Sequence, residues 1–157
     1  MQHTNCLAAA ALAVAVIIAN TVAFAQPKAA PVKKTVTVYK TPTCGCCGKW
    51  VEHMQANGFA ASVTNMPDLS AIRAKHGVPS NLTSCHTSLI GGYVIEGHVP
   101  AEDVKRLLRE KPAIVGLSAP GMPAGSPGMD VPGSPAYDVI AFDKNGRTKV
   151  FAHHPAR

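Results

Sequence analysis

The sequence has few aromatic residues and no cluster of positive charge. Aromatic residues make up 5% of the 157 residues and charged residues 15%. The formal net charge is +6, but lysine and arginine are scattered along the chain without a basic run. Nucleic-acid-binding proteins usually concentrate these residues on one face. The composition therefore argues against nucleic acid as a partner, and a solvated surface accounts for the charge.

The sequence also lacks an apolar run of the length that a membrane span requires. The run from Leu7 to Ala19 is too short, because a spanning helix needs about 20 apolar residues. It is followed by Ala23-Phe24-Ala25, the small-x-small pattern of a cleavage site. We therefore predict a secretory signal peptide over residues 1–25, cleaved after Ala25, with an uncleaved anchor as the alternative. On the main interpretation Cys6 leaves with the signal, and the mature protein is not attached to a membrane.

A short tether and one domain are predicted after the signal. Residues 26–34 mix proline, alanine and lysine, and residues 35–154 carry strand and helix patterns. Alternating β-branched residues predict strands, and apolar residues spaced by three or four predict helices. The predicted strands are 35–39, 61–65, 87–90, 93–95, 137–142 and 148–151. The predicted helices are 47–57, 68–76 and 100–111.

This order of elements favours a thioredoxin-like α/β fold. Strands 35–39 and 61–65 are joined through a helix, so they should pair in parallel. Gly91-Gly92 is a two-residue turn signal and predicts an antiparallel hairpin. The expected architecture is a central mixed sheet with helices on both faces. Residues 112–135 are rich in glycine and proline, which predicts a loop without regular structure before a C-terminal β-hairpin over residues 136–151.

Three cysteines lie on the predicted strand-to-helix turn: Cys44, Cys46 and Cys47. The free N–H groups and the positive dipole end of a helix favour thiolates at such a place. Clustered thiolates are preferred ligands of Cu(I), zinc and iron–sulfur centres. Cys85 lies just before a hairpin strand, where thioredoxin-like proteins carry a loop that packs against their cysteines. The four thiols are therefore predicted to form one metal site.

Two other uses of the same cysteines stay open. An exported protein meets an oxidising compartment, so two structural disulfides, for example Cys44–Cys47 and Cys46–Cys85, are the plain alternative. A bond between the adjacent Cys46 and Cys47 would be strained. The C-x-x-C spacing also fits a thiol–disulfide oxidoreductase, with Cys44 as nucleophile and Cys47 as resolving thiol. A structural zinc site is a weaker option.

Several stretches resemble the CopG-like family, a group long described as a domain of unknown function. The first is Tyr39 to Trp50, with its Cys-x-Cys-Cys turn, and the second is Pro79 to Thr87, with Ser84-Cys85-His86-Thr87. Gly91 to Pro100 and Gly116 to Met129 complete the resemblance, which covers roughly residues 35–151. Members of this family are exported proteins with a thioredoxin-like fold, and they are linked to bacterial copper resistance.

The resemblance implies copper bound by Cys44, Cys46, Cys47 and Cys85. It also implies redox chemistry between Cu(I) and Cu(II) at the bound copper. Such chemistry would make the protein a copper-dependent oxidoreductase. We therefore expect a periplasmic protein of copper resistance or homeostasis that holds Cu(I) in preference to zinc. The expected protein partner is another periplasmic copper carrier or an exporter.

The glycine- and proline-rich loop contains two further candidate ligands, Met122 and Met129. Their settings are related, Pro-Gly-Met-Pro and Pro-Gly-Met-Asp. Thioethers suit Cu(I), and a loop of this kind could cover the site or pass copper on. Incidental methionines on a surface loop are the simpler account.

The histidines give a weaker signal. His86 adjoins Cys85, but adjacent strand residues point to opposite faces, so a solvent-facing or hydrogen-bonded role is the expectation. The pair His153-His154 could capture Cu(II), although a polar tail is the simpler account. No role is predicted for the remaining histidines of the domain, which are His53, His76 and His98.

Overall fold

A computed structural model describes residues 34–157 of the chain. The predicted signal peptide, and all of the predicted tether except Lys34, lie outside the described residues. None of the helices in the described part combines the length and the apolar character that a membrane crossing requires.

The described residues form seven strands, three α-helices and one short 3₁₀-helix over Ser80–Leu82. The strands are β1 Thr35–Lys40, β2 Ala60–Asn65, β3 His86–Ile90, β4 Tyr93–Gly97, β5 Gly116–Ala119, β6 Tyr137–Phe142 and β7 Thr148–His154. The helices are α1 Gly45–Ala56, α2 Ser70–Lys75 and α3 Ala101–Glu110.

All seven strands belong to one mixed sheet, in the order β2-β1-β3-β4-β5-β6-β7. The β1–β2 and β4–β5 pairs are parallel, and the other pairs are antiparallel. The predicted parallel pair and both predicted hairpins are therefore confirmed. The α/β class with a mixed sheet is confirmed as well, while a thioredoxin-like relationship stays a prediction.

Helices pack on both faces of the sheet. On one face, α1 and α3 enclose the main core with Val36, Val38 and Ile95 of the strands. Trp50 of α1 is fully buried there, and its indole N–H donates to the Val99 carbonyl oxygen at 2.9 Å. Side chains alternate between the two faces along a strand, so Val94 and Glu96 point to the opposite face. There they meet Leu82 and the Arg73 side chain of α2.

The expectation that residues 112–135 lack regular structure is wrong for its first part. Residues Gly116–Ala119 form β5, which is fully buried between β4 and β6. A Cβ at Gly116 would overlap the backbone of Val94, so only glycine allows the two strands to approach. The strand is short and rich in small residues, so the runs of β-branched residues that predict a strand are absent from it.

The element boundaries differ from prediction at two helices. The α1 helix begins at Gly45, before the predicted Cys47, so that all three clustered cysteines lie at its N-terminus. The α2 helix begins at Ser70, two residues after the predicted start at Asp68, and its N-cap residue is Leu69. Asp68 still accepts hydrogen bonds from the Ser70 N–H at 3.2 Å and from the Ser70 hydroxyl, so it caps this end from one residue further out.

Candidate metal centre

The end of β1 delivers the cysteines directly to the start of α1. Cys44 is the N-cap residue, in an extended conformation, and its N–H donates to the Thr41 carbonyl oxygen at 3.2 Å. Cys46 and Cys47 then occupy the first turn of the helix. Cys47 is buried, while Cys44 and Cys46 are half-buried. The predicted placement of three sulfurs at a helix N-terminus is therefore what the structure shows.

Cys44 and Cys47 are joined by a disulfide, with their Cα atoms 5.4 Å apart. Cys46 and Cys85 are free thiols. One of the two bridges considered from the sequence is thus present, and the other, Cys46–Cys85, is not. The Cys46 Sγ lies 3.5 Å from the Cys44 Sγ, which places a free thiol against the bonded pair.

Cys85 completes the cluster from a distant part of the chain. It lies between the 3₁₀-helix and β3, and β3 is the neighbour of β1 in the sheet. The sulfur atoms of Cys44, Cys46, Cys47 and Cys85 all lie within 4.8 Å of one another. With the Cys44–Cys47 bond reduced, four sulfurs so close together would form the donor set that soft metal ions prefer.

A second group of donor atoms shares two of these cysteines. One ligand atom each from Cys47, Cys85, His86 and His98 lies within 4.8 Å of the others. The Cys85 Sγ is 2.8 Å from His98 Nε2 and 3.4 Å from His86 Nδ1. Cys85 therefore lies where a cluster of sulfurs meets a pair of imidazoles.

The sequence reading missed His98, although the hairpin register contains the signal. Across the Gly91-Gly92 turn, Thr87 pairs with Glu96 and Ser88 with Ile95. Continuing this register by two positions places Cys85 opposite His98. The predicted two-residue turn would therefore have been enough to bring the two residues together.

The surroundings of His98 define which nitrogen carries its proton. His98 Nδ1 lies 2.7 Å from the Pro127 carbonyl oxygen, which can only accept a hydrogen bond. Burial lowers the pKa of His98, which favours the neutral ring. In the neutral ring with the proton on Nδ1, the Nε2 lone pair faces the Cys85 sulfur.

Burial also shifts the pKa values of Cys85 itself and of His86. Removal from water, followed by repulsion from Cys46, raises the pKa of the Cys85 thiol to about 12. Burial, with a smaller effect from His98, lowers the pKa of His86 well below 6.5. His86 is fully buried against the Trp50 ring, with 4.4 Å between ring centroids. Because the ring is buried, the solvent-facing part of the expectation is wrong, whereas the contact of Nδ1 with the Cys85 sulfur agrees with its hydrogen-bonded alternative. Within residues 34–157, Nε2 has no hydrogen-bond partner.

Lys40 contributes positive charge beside the cysteine turn. It is the last residue of β1, is mostly buried and is the register partner of His86. Its ammonium group donates to the Thr41 carbonyl oxygen at 2.9 Å. Within residues 34–157 it forms no salt bridge with a carboxylate. The ammonium group of Lys40 therefore contacts the backbone carbonyl that also accepts from the Cys44 N–H, where the cysteine turn begins.

The two loop methionines differ in their exposure. Met122 is 42% exposed and adopts a left-handed conformation, with φ of 54°. Met129 is half-buried and follows Pro127 and Gly128, which pack on His98 and on the start of α1. The stretch 125–128 is buried, so this part of the loop covers the cysteine site.

The C-terminal histidines are engaged by carboxylates of neighbouring elements. His153 Nδ1 lies 2.7 Å from an oxygen of Asp138, and His154 Nε2 lies 2.7 Å from an oxygen of Asp103. The His154 ring also stacks on Tyr137, with 4.8 Å between centroids. Neither histidine belongs to a metal-ligand group in the described part of the chain. These contacts fix β7 to its neighbours.

Fold and site together define a mixed α/β protein with a cysteine-rich centre whose sulfur atoms could hold a soft metal ion. The family described as "Protein of unknown function, DUF411" matches residues 82–129, which include Cys85, His98 and the loop methionines. No sequence among the curated proteins matches the chain.

Two solved structures of the copper resistance protein CopG, forms 1 and 2, are similar to this chain. Each is 41% identical to it, covers 78% of it and superposes with a TM-score of 0.74. The matched region makes up 98% of the first structure's chain and 99% of the second's. The chain therefore belongs to the CopG-like family, as its cysteine motif predicts.

Proposed function

We propose that this protein binds copper as Cu(I), in the service of copper resistance or homeostasis in the periplasm. The observation that carries the proposal is the convergence of four cysteine sulfurs, from two distant segments, within 4.8 Å. Thiolates are soft ligands and favour Cu(I) over harder ions. The similarity to solved copper resistance proteins supports copper as the metal.

The Cys44–Cys47 disulfide makes metal loading dependent on reduction. The two sulfurs become thiolates only after the bond takes up two electrons, and a low-molecular-weight thiol or a dithiol protein can supply them. Once the bond is open, the N-terminus of α1 offsets part of the negative charge of the clustered thiolates. His98 Nε2 and His86 Nδ1 lie close enough to Cys85 to add nitrogen donors.

The same disulfide offers a route for oxidoreductase activity. Two Cu(II) ions would each take one electron from the reduced Cys44 and Cys47 thiolates, which leaves two Cu(I) ions and the disulfide. Electron paramagnetic resonance would follow the loss of Cu(II), and a thiol assay would follow the loss of thiols. One thiol should disappear for each Cu(II) ion reduced, and loss of the Cu(II) signal without loss of thiols would contradict this step.

Replacing Cys46 tests the copper proposal, because Cys46 forms no disulfide within residues 34–157. After reduction, we expect Cys46→Ser to lower the Cu(I) affinity by at least about tenfold in a competition titration, since one of four thiolates is lost. Thr43→Ser, an exposed change on the same turn that removes no sulfur, is the control. Equal affinities for Cys46→Ser and the wild type would defeat the proposal.

A thiol–disulfide oxidoreductase is the second candidate. The bond between Cys44 and Cys47 at the start of a helix is the observation that favours it. Insulin reduction by the metal-free protein separates the two functions. Activity that survives loss of both Cys46 and Cys85 would support this candidate, because C-x-x-C chemistry needs neither residue.

A further inference from the structure

A buried ion pair lies on the face of the sheet opposite the main core. Glu96 of β4 is completely buried, and its Oε1 accepts from Arg73 Nε of α2 at 2.8 Å. Its Oε2 accepts from the Thr87 hydroxyl at 2.6 Å. Neither residue belongs to the two groups of metal-ligand atoms described above.

The pair holds the backbone of Ser84 at both of its polar groups. The Ser84 N–H donates to Glu96 Oε1 at 2.8 Å, and the Ser84 carbonyl oxygen accepts from Arg73 Nη2. The ladder of β3 begins only at His86, so strand pairing does not hold this residue. Cys85 is therefore attached on one side to a residue that Glu96 and Arg73 fix in place.

Attaching α2 to the sheet does not by itself require this arrangement. Removing a charged group such as the Glu96 carboxylate from water is unfavourable, and apolar side chains of similar size often stabilise a protein as well or better. What apolar side chains cannot do is bind a backbone N–H and a carbonyl oxygen. The charges of the pair are directed at the residue that precedes Cys85.

Gly97 adds to the same arrangement. A Cβ at Gly97 would overlap the Ser84 side chain, and the residue has a positive φ of 72°. The backbone next to Glu96 is thus shaped to accept Ser84 at close range. Ser118 of β5 also donates to the Leu82 carbonyl oxygen at 2.6 Å, so the whole approach to Cys85 is anchored to the sheet.

We propose that Glu96 and Arg73 are positioning residues that fix the distance between the Cys85 and Cys46 sulfurs. For the metal-free protein this inference stands on the contacts alone. Its consequence for copper, the supply of the fourth sulfur ligand, rests on the proposed function. A positioned thiol needs no further ordering when the ion arrives, and this raises affinity.

The positioning is measured without metal as the tendency of Cys46 and Cys85 to form a disulfide. In full-length protein with Cys44→Ser and Cys47→Ser, the reaction with oxidised glutathione gives the Cys46–Cys85 bond and two reduced glutathione molecules. Its equilibrium constant is the effective concentration of one thiol at the other. Peptide mapping by mass spectrometry identifies and quantifies the bond.

We expect Arg73→Gln and Glu96→Gln each to lower this constant by about tenfold or more, because a released segment spreads Cys85 over a larger volume. Arg106→Gln is the matched control. It takes a cation from another buried carboxylate, Asp103, in a helix that carries none of the cysteines. Arg106→Gln should lose stability as the other two variants do, because it also removes an ion pair. Its equilibrium constant for the Cys46–Cys85 bond should not change.

Arg73→Lys keeps the inference testable if Arg73→Gln does not fold. It retains the charge beside Glu96 but lacks the forked guanidinium that reaches Glu96 and Ser84 together. Circular dichroism shows whether an Arg73 variant is folded. If a folded variant has the same equilibrium constant for the Cys46–Cys85 bond as the protein with Arg73, the positioning role is overturned.

The copper arm of the experiment separates this inference from the proposed function. X-ray absorption of Cu(I)-loaded protein should show fewer sulfur ligands in Arg73→Gln than in the wild type and in Arg106→Gln. If the wild type binds no Cu(I), the proposed function fails, and the disulfide equilibrium still decides the positioning role. If the wild type binds Cu(I), and Arg73→Gln leaves both the disulfide equilibrium and the sulfur coordination unchanged, the inference fails alone.

Discussion

Gly128 lies so close to α1 that a Cβ on it would come within 2.8 Å of the Cys46 carbonyl oxygen. The same added atom would lie 2.9 Å from the Trp50 backbone nitrogen. The residue has a positive φ of 85°, which glycine adopts at little cost. The loop that covers the cysteine site is therefore in backbone contact with the helix that carries three of the cysteines.

Gly128→Ala should displace the loop from the site. We expect a loss of about 1–3 kcal/mol in the free energy of unfolding, because the positive φ and the close contact both penalise a Cβ. We also expect the Cu(I) affinity of the reduced protein to fall. Urea denaturation and a competition titration measure the two effects.

Gly133→Ala is the matched control for this change. Gly133 lies in the same loop with a positive φ of 72°, but no atom of the described residues lies within 4 Å of an added Cβ. It should show the conformational cost without the loss of affinity. Equal copper affinity in the two variants would mean that the loop does not contribute to the site.

The two loop methionines should differ in their effect on copper. Met129 is half-buried beside the segment that packs on His98 and α1, whereas Met122 is 42% exposed. We expect Met129→Leu to weaken Cu(I) binding several-fold, since leucine has similar volume but no thioether. Met122→Leu should leave the affinity within about twofold, and the reverse order would refute this assignment.

The stability of the protein should depend on the protonation of His53. Its Nε2 accepts a hydrogen bond from the Ala101 N–H at 3.0 Å, at the start of α3, and this requires the neutral ring. Burial, opposed by Glu102 and Asp130, lowers the pKa of His53 below its ordinary value of 6.5.

Since the unfolded chain binds the proton more readily, this histidine contributes its full stability above about pH 6.5. The contribution falls as the pH drops from there towards the lowered pKa. The free energy of unfolding, measured by denaturation between pH 4.5 and 7.5 (about two units below 6.5 to one above), should depend less on pH in His53→Gln than in the wild type. The glutamine amide oxygen accepts the same hydrogen bond without titrating. His76→Gln is the control, and an identical slope in His53→Gln and the wild type would exclude the effect.

Much of the fold can be predicted from the sequence, because the turn and strand patterns that predict it involve residues close together in the chain. The Gly91-Gly92 turn and the Asp143 to Gly146 turn each lie between clear strand patterns, and both hairpins are present. The β5 strand was not accessible in this way, since four small or apolar residues carry no periodic pattern. Only its neighbours on both sides make it a strand.

The candidate site was accessible in part. Thiols at a predicted helix start, with a fourth before a hairpin strand, were enough to anticipate that the sulfurs lie together. The pairing of Cys44 with Cys47 was one of several options, because spacing alone does not select a disulfide. His98 was missed because its approach to Cys85 depends on strand register, and Glu96 because its role depends on a helix distant in sequence.

The donor atoms of the metal centre come from places far apart along the chain, between Cys44 and His98, and Pro127 orients one of them. In an unfolded chain only the Cys-x-Cys-Cys stretch remains as a compact chelator. A cargo ion that prefers the complete set therefore pulls the equilibrium towards the native state, in proportion to the logarithm of its concentration. If that ion is copper, as proposed, copper supply and the protein's resistance to proteolysis would rise and fall together.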